Sequence, residues 1–234
     1  MPEISALSES IQDYLKTIFT LRMSSERVTT NAIAASLDVA AASVTGMLKK
    51  LAGMNLVEYE RYQGVRLTAA GEKIALEVIR HHRLIELYLM EAMGYSWDQV
   101  HAEAERLEHA ISEEFEERMA QLLGDPKFDP HGNPIPTKDG TIASFSRRRL
   151  SQVASGETVR IERIQNEDAA LLRRVAALGL MPRTDLTVVR HSAGNGAGAV
   201  IVIVIVKTVA SAEDHSRPLR LERDIADHIF VYEN

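Results

Sequence analysis

Residues 30–50 read TNAIAASLDVAAASVTGMLKK. Thr30 and Asn31 open a short helix with residue types that cap helix ends, and the helix runs on to Leu37. Asp38-Val39-Ala40 makes a tight turn. A longer helix, from about Ala41 to Met54, then carries Val44, Met47, Leu48 and Leu51 on one side. Two short helices about a brief turn predict a helix-turn-helix unit, whose second helix enters the DNA major groove. The outward residues are of the right kinds for that groove. Ser43 and Thr45 reach bases or phosphates, and Lys49-Lys50 stands where backbone contacts fall. Ala41, Ala42 and Gly46 permit close approach and apolar contact with thymine methyls. Thr30 and Asn31, at the start of the unit, join the expected DNA-binding set.

The flanks complete the pattern. Before the unit, Ser8 to Met23 places Ile11, Leu15, Ile18, Phe19 and Leu21 near helical spacing, with Ser8 at the N-cap position. After it, two alternating segments within Leu56 to Thr68 surround Gln63-Gly64, a hairpin signal. That hairpin reads as a wing, with Arg61, Tyr62 and Arg66 near its tip. A winged unit of this kind also serves protein binding, but the basic tip favours DNA.

Composition narrows the chemistry. The 234 residues suffice for two domains or three small ones. The chain has no cysteine, which excludes disulfides, thiolate zinc sites and cysteine nucleophiles. Its start lacks a basic region followed by an apolar run, so no signal peptide is expected, and a cytoplasmic location is. Ala197 to Val206, the longest apolar run, is too short for a membrane span and reads as a buried strand. The net charge of −6 is unevenly spread: residues 1–75 balance eight Lys/Arg against eight Asp/Glu, whereas 76–124 hold four Arg against eleven Asp/Glu.

That acidic segment predicts helices over about Thr68 to Met93 and Gln99 to Leu123. In the second, His101, Glu105, Glu108 and His109 cluster on one face; in the first, His82 and Glu86 stand one turn apart. Facing helices with such sets build carboxylate–imidazole sites. Oxygen and nitrogen donors suit Mn²⁺ or Fe²⁺. Zn²⁺, Co²⁺ or Cd²⁺ would substitute in vitro. His81, Glu103, Glu113, Glu114, Glu116 and Glu117 are expected to face solvent. Asp125 to Ser155 reads as loop and linker, including the basic run Arg147-Arg148-Arg149. From Gly156 the pattern becomes short strands at 158–164, 186–190, 199–208 and 229–232 with one helix at 168–178, which predicts a small barrel.

Gln12-Asp13-Tyr14-Leu15-Lys16-Thr17-Ile18, Ser43-Val44-Thr45, His82-Arg83-Leu84-Ile85-Glu86, the run from Val100 to His109 and Gly132-Asn133-Pro134-Ile135-Pro136 occur here in one order. In that order they resemble the diphtheria toxin repressor family of metal-dependent transcriptional regulators, in its manganese-responsive branch. The resemblance implies an α+β multidomain fold: a winged helix-turn-helix DNA-binding domain (1–75), a helical metal-binding and dimerisation domain (76–142), a linker (143–155) and a C-terminal SH3-like domain (156–234). It implies a primary site from Asp13, Glu105, Glu108 and His109, with the Glu105 carbonyl, and an ancillary site from His82, Glu86 and His101. Carboxylates at 13 and 105, where iron-responsive members tend to carry Met and Cys, point toward Mn²⁺. Binuclear manganese regulators place another glutamate where this chain has Lys16, which implies two separate sites. In some relatives the C-terminal domain lends two ancillary ligands, for which Glu167 and Asp168 lie closest. Leu178-Gly179-Leu180-Met181-Pro182 resembles small barrels associated with ferrous-iron transport. The implied function is a homodimeric, non-enzymatic repressor of metal-uptake genes that binds an operator duplex when loaded with metal, with neither membrane nor organic substrate as partner. The rival readings are a helical di-metal enzyme and a DNA-binding regulator that senses an organic ligand.

Overall fold

A computed structural model describes residues 7–25, 27–60, 64–165, 168–193, 200–207 and 218–233. The chain divides into two compact units: Met1–Ile85, Ala104–Gly124 and Pro136–Ile142 in one, Glu86–Glu103, Asp125–Ile135 and Ala143–Asn234 in the other.

The first unit begins with three helices: α1 (Glu9–Ser24), α2 (Thr30–Ser36) and α3 (Ala41–Gly53). Ile11, Leu15, Ile18 and Phe19 recur at helical spacing on α1 and pack with Ile33, Val44, Leu48 and Leu51 in one core. Thr29 Oγ1 accepts from Ala32 N at 3.1 Å and so caps α2. Asp38, with φ of +50°, lets the chain turn between α2 and α3, whose axes differ by 110°. Strands β1 (Val57–Glu60) and β2 (Gly64–Leu67) follow as an antiparallel hairpin in which Glu60 faces Gly64. The expected tip residues Arg61 and Tyr62 lie outside the described residues.

The long helix α4 (Ala69–Glu91) starts against the hairpin. Thr68 donates its backbone N–H to Leu56 O at 3.0 Å, and a Cβ on Gly71 would fall 2.0 Å from that same carbonyl. Only glycine fits there without moving backbone.

The expected single helix from Gln99 to Leu123 is two helices, α5 (Val100–Leu107) and α6 (Glu113–Leu122). Ser112 Oγ accepts from Phe115 N at 3.2 Å, and Glu113, Glu114 and Glu116 fill the new first turn, where the helix dipole favours acid. A strong local start signal thus interrupts the periodic pattern. A second correction concerns His81 and Glu116: both are buried, at 2% and 3% exposure, because they pair with each other and with backbone rather than with water. Glu113, Glu114 and Glu117 are exposed as expected, and Glu103 is partly covered.

The second unit holds β3 (Thr158–Ile164), α7 (Ala169–Ala177), β4 (Asp185–Ala193), β5 (Val200–Lys207), β6 (Leu219–Glu222), α8 (Arg223–His228) and β7 (Ile229–Glu233). The strands form one antiparallel sheet in the order β6-β5-β4-β3-β7 around a core that includes Val159, Ile161, Leu172, Leu186, Val202 and Val231. Strand β6 and helix α8 carry too few residues for periodicity to reveal them. Arg148, expected in a solvated linker, is partly buried instead and holds the Glu157 carboxylate with both terminal nitrogens. Among the described residues no single helix is long and apolar enough to cross a membrane.

Candidate metal centre

Helix α1 presents Gln12, Asp13 and Lys16, the chain leaving α5 presents Glu108 and His109, and α4 supplies His82. His109 Nε2 lies 2.9 Å from Asp13 Oδ1 and 3.5 Å from Glu108 Oε1. His109 Nδ1–H donates to Gln12 Oε1 at 2.8 Å, and Gln12 Nε2 donates in turn to Leu7 O at 3.2 Å. Asp13, Glu108 and His109 therefore offer donor atoms within 4.8 Å of one another. A second group of the same compactness joins His82, Glu105 and Glu108, so Glu108 belongs to both. Of the four residues expected in the primary site, three converge in one group. Glu105 is in the adjoining one, and its side chain is 42% exposed.

Lys16 sits among the second group. Its Nζ donates to Glu105 Oε1 at 2.5 Å and to both Glu108 oxygens at 2.8 Å, and lies 3.2 Å from His82 Nδ1. His82 Nδ1 is itself 2.5 Å from Glu108 Oε2. Burial pulls the Lys16 ammonium toward neutrality, but the Glu108 and Glu105 charges outweigh it and hold its pKa above the ordinary lysine value. The hydrogen bond to Asp13 acts likewise on His109, and with the Asp13 and Glu108 charges it raises the imidazole pKa against the effect of burial.

The break after α5 has a direct effect on this cluster. The Glu108 carbonyl is free of the helix ladder and accepts from His81 Nδ1–H at 3.1 Å. His81 Nε2 lies 3.3 Å from Glu116 Oε2, while Arg80 Nε donates to Glu116 Oε1 at 2.5 Å and Arg80 also donates to Pro136 O at 2.8 Å. Burial pushes the Glu116 carboxyl up, yet the adjacent His81 ring and the hydrogen bond and charge of Arg80 hold its pKa below the usual carboxylate range. His81 and Glu116, expected at the surface, thus brace the backbone of a candidate ligand.

The second unit contains another set of donors. The Glu86 carboxylate, 2% exposed, lies 3.3 Å from His101 Nδ1 and 3.6 Å from His131 Nδ1. Glu86, Asp129 and His131 form a fully buried group with converging donor atoms. His131 Nε2–H donates to Trp97 O at 3.1 Å, which leaves Nδ1 toward the group. Asp129 Oδ1 accepts from the backbone N–H groups of His131 and Asn133. Sequence reasoning missed Asp129 and His131, although two ligand-type residues inside a Pro/Gly-rich loop were the available signal. Asp168 caps α7 by accepting from Ala170 N at 2.8 Å, and Glu167 lies outside the described residues.

On the DNA-binding side, Asn31, Ala41, Ala42, Ser43, Lys49, Lys50 and Arg66 are exposed, and Thr30 and Thr45 are half-buried. Val44, Leu48 and Leu51 turn inward, so α3 divides cleanly into a core face and an outward face. Thr45 Oγ1 donates to Ala41 O at 3.1 Å, which ties its hydroxyl to its own helix.

The donors brought together in these groups are carboxylate oxygen and imidazole nitrogen, and they fit a divalent cation. Comparison with known proteins agrees. Residues 6–65 match the iron dependent repressor N-terminal DNA-binding domain, and residues 68–137 match the iron dependent repressor metal-binding and dimerisation domain. Residues 148–233 match the FeoA domain, in line with the barrel-like motif at 178–182. The iron-dependent repressor IdeR of Mycobacterium leprae is 29% identical over 230 residues, covering 93% of this chain and 98% of its own length. A manganese-dependent transcriptional repressor solved in complex with manganese superposes with a TM-score of 0.84 at 34% identity, covering 96% of this chain and all of its own. ScaR with bound Cd²⁺ superposes with a TM-score of 0.78 at 28% identity, covering 96% of this chain and 99% of its own.

Proposed function

Because the chain belongs to the iron-dependent repressor family, it is a metal-dependent, DNA-binding transcriptional repressor, and we propose that Mn²⁺ is the ion that activates it. The observation that carries this reading is the donor set of the first unit: Asp13 and Glu108 carboxylates converge on the His109 imidazole with Glu105 beside them, and no sulfur is within the group. Hard oxygen donors suit Mn²⁺, and the manganese complex of a similar repressor supports the choice. Fe²⁺ shares the preference for these donors, and Zn²⁺, Co²⁺ and Cd²⁺ would bind in vitro.

A divalent ion held there supplies the positive charge that lets carboxylates from α1 and from the α5 end stay together. The chain's own residues do the rest. Asp13 rides on α1, the helix on which the reading unit is built, so its engagement with Glu108 and His109 fixes that unit's orientation. Gln12 holds the His109 ring with Nε2 directed at Asp13. The braced Glu108 carbonyl keeps the ligand segment in place. In a homodimer, two such units present their α3 helices to successive major grooves of an operator. We assign DNA contact to Thr30, Asn31, Ala41, Ala42, Ser43, Thr45, Lys49, Lys50 and Arg66, metal-uptake genes as the regulated class, and functional segments at 1–75, 76–142 and 156–234 joined through 143–155. The ancillary site is taken as Glu86 and His101 with Asp129 and His131.

Metal and DNA affinities must then be coupled, by about 1–3 kcal/mol in a typical case. The test is fluorescence anisotropy on a duplex selected from a random library by the Mn²⁺-loaded protein, titrated with Mn²⁺. Asp13→Ala should lose most of the Mn²⁺-dependent gain in affinity; an undiminished gain would refute the assignment.

A further inference from the structure

The metal centre contains a cation already. Lys16 Nζ has three carboxylate oxygen contacts, one from Glu105 and two from Glu108, with the His82 ring nitrogen as a fourth neighbour. These are the donor atoms of the compact His82, Glu105 and Glu108 group. The ammonium therefore stands where a second divalent ion, sharing Glu108 with the first, would have to bind. We propose that Lys16 is a tethered substitute for that ion, which restricts the cluster to a single divalent cation on the Asp13, Glu108 and His109 side. The inference rests on the metal site assigned above.

Charge supports it independently of geometry. Asp13, Glu105 and Glu108 carry three negative charges, and Lys16 cancels one of them. The deficit that remains is the charge of one divalent ion. A second ion would leave an excess of positive charge beside a carboxylate with no solvent exposure, where uncompensated charge is costly. The tether strengthens the exclusion. Leu15 and Ile18, on either side of Lys16 in α1, are fully buried, so the lysine is anchored at a high effective concentration next to its carboxylates.

The experiment is electron paramagnetic resonance of the full-length protein titrated with Mn²⁺, paired with equilibrium dialysis to count bound ions. Two Mn²⁺ ions sharing a carboxylate, about 3.5–4 Å apart as in two-metal sites, give an exchange-coupled spectrum. Wild type should show only uncoupled Mn²⁺, and a coupled pair in wild type would overturn the proposal whatever the variants do. Lys16→Glu should bind one more Mn²⁺ per protomer and display the coupled signal, while Lys16→Arg should keep the wild-type count. A folded Lys16→Glu protein with an unchanged count would also overturn it. Glu108→Ala separates the two levels of the claim. Loss of one ion in that variant, with no gain in Lys16→Glu, removes only the role of Lys16, whereas no loss in Glu108→Ala removes the metal site itself.

Discussion

His109 has two ring nitrogens with different roles. Nδ1–H is committed to Gln12 Oε1 at 2.8 Å, and this leaves Nε2 as the nitrogen that faces Asp13 and Glu108. A ligand histidine held through its other nitrogen is set in tautomer and orientation before the ion arrives. Gln12 is only 3% exposed and is itself anchored on Leu7 O, so it cannot readily be replaced by water. Gln12→Leu keeps the volume and removes the acceptor. Its Mn²⁺ affinity, measured by calorimetry, should fall roughly 10–100-fold, the usual effect of losing such a partner. An unchanged Kd would show that the ring is positioned by packing alone.

Between α5 and α6 the chain abandons a helical pattern that its hydrophobic spacing would continue, and the reason is local: Ser112 and the acids after it specify a new helix start. The consequence is not local, because the break releases the Glu108 carbonyl to His81 and leads through it to Glu116 and Arg80. Glu116 has a pKa depressed below its unfolded value of about 4.3. Its stabilising contribution is therefore fully present above that unfolded value and is lost as pH falls through the folded one. Glu116→Gln should cost about 3–5 kcal/mol near neutrality, as breaking a buried pair does. Urea unfolding followed downward in pH should show the gap between variant and wild type closing as Glu116 protonates. A gap of constant size would mean that packing, not charge, holds this brace. Helix existence at α1 to α4, the hairpin and four strands of the sheet were legible from periodicity and turn residues. The break was less so, since Ser112 competes with a periodic pattern that stays intact on both sides of it. His81 and Glu116 were illegible as buried residues, because their burial depends on finding each other across 35 positions of chain.

Taken as one molecule, the protein binds a polyanion while carrying a net charge of −6. Separation along the chain reconciles the two: the acid is concentrated in residues 76–124, within the matched metal-binding and dimerisation domain, whereas Lys49 and Lys50 are exposed on α3 of the matched DNA-binding domain, the face proposed to contact DNA. Affinity for duplex DNA should accordingly fall steeply with salt, by counterion release. Lys49→Ala and Lys50→Ala should weaken binding across all duplex sequences alike and reduce the slope of log K against log salt by about one for each phosphate no longer neutralised. Anisotropy at several KCl concentrations tests this, and a variant with an unaltered slope would take its lysine off the backbone.

From the order of residues alone came the winged unit, the acidic helices and the types of candidate donor, since periodicity, capping and donor type are properties of short stretches. The tertiary structure alone decided which donors meet. It brought Asp13 to His109, filled the His82, Glu105 and Glu108 group with Lys16, and added Asp129 and His131 to Glu86. Those pairings join segments far apart in the chain, and which lone pairs are already taken is settled only when the segments pack.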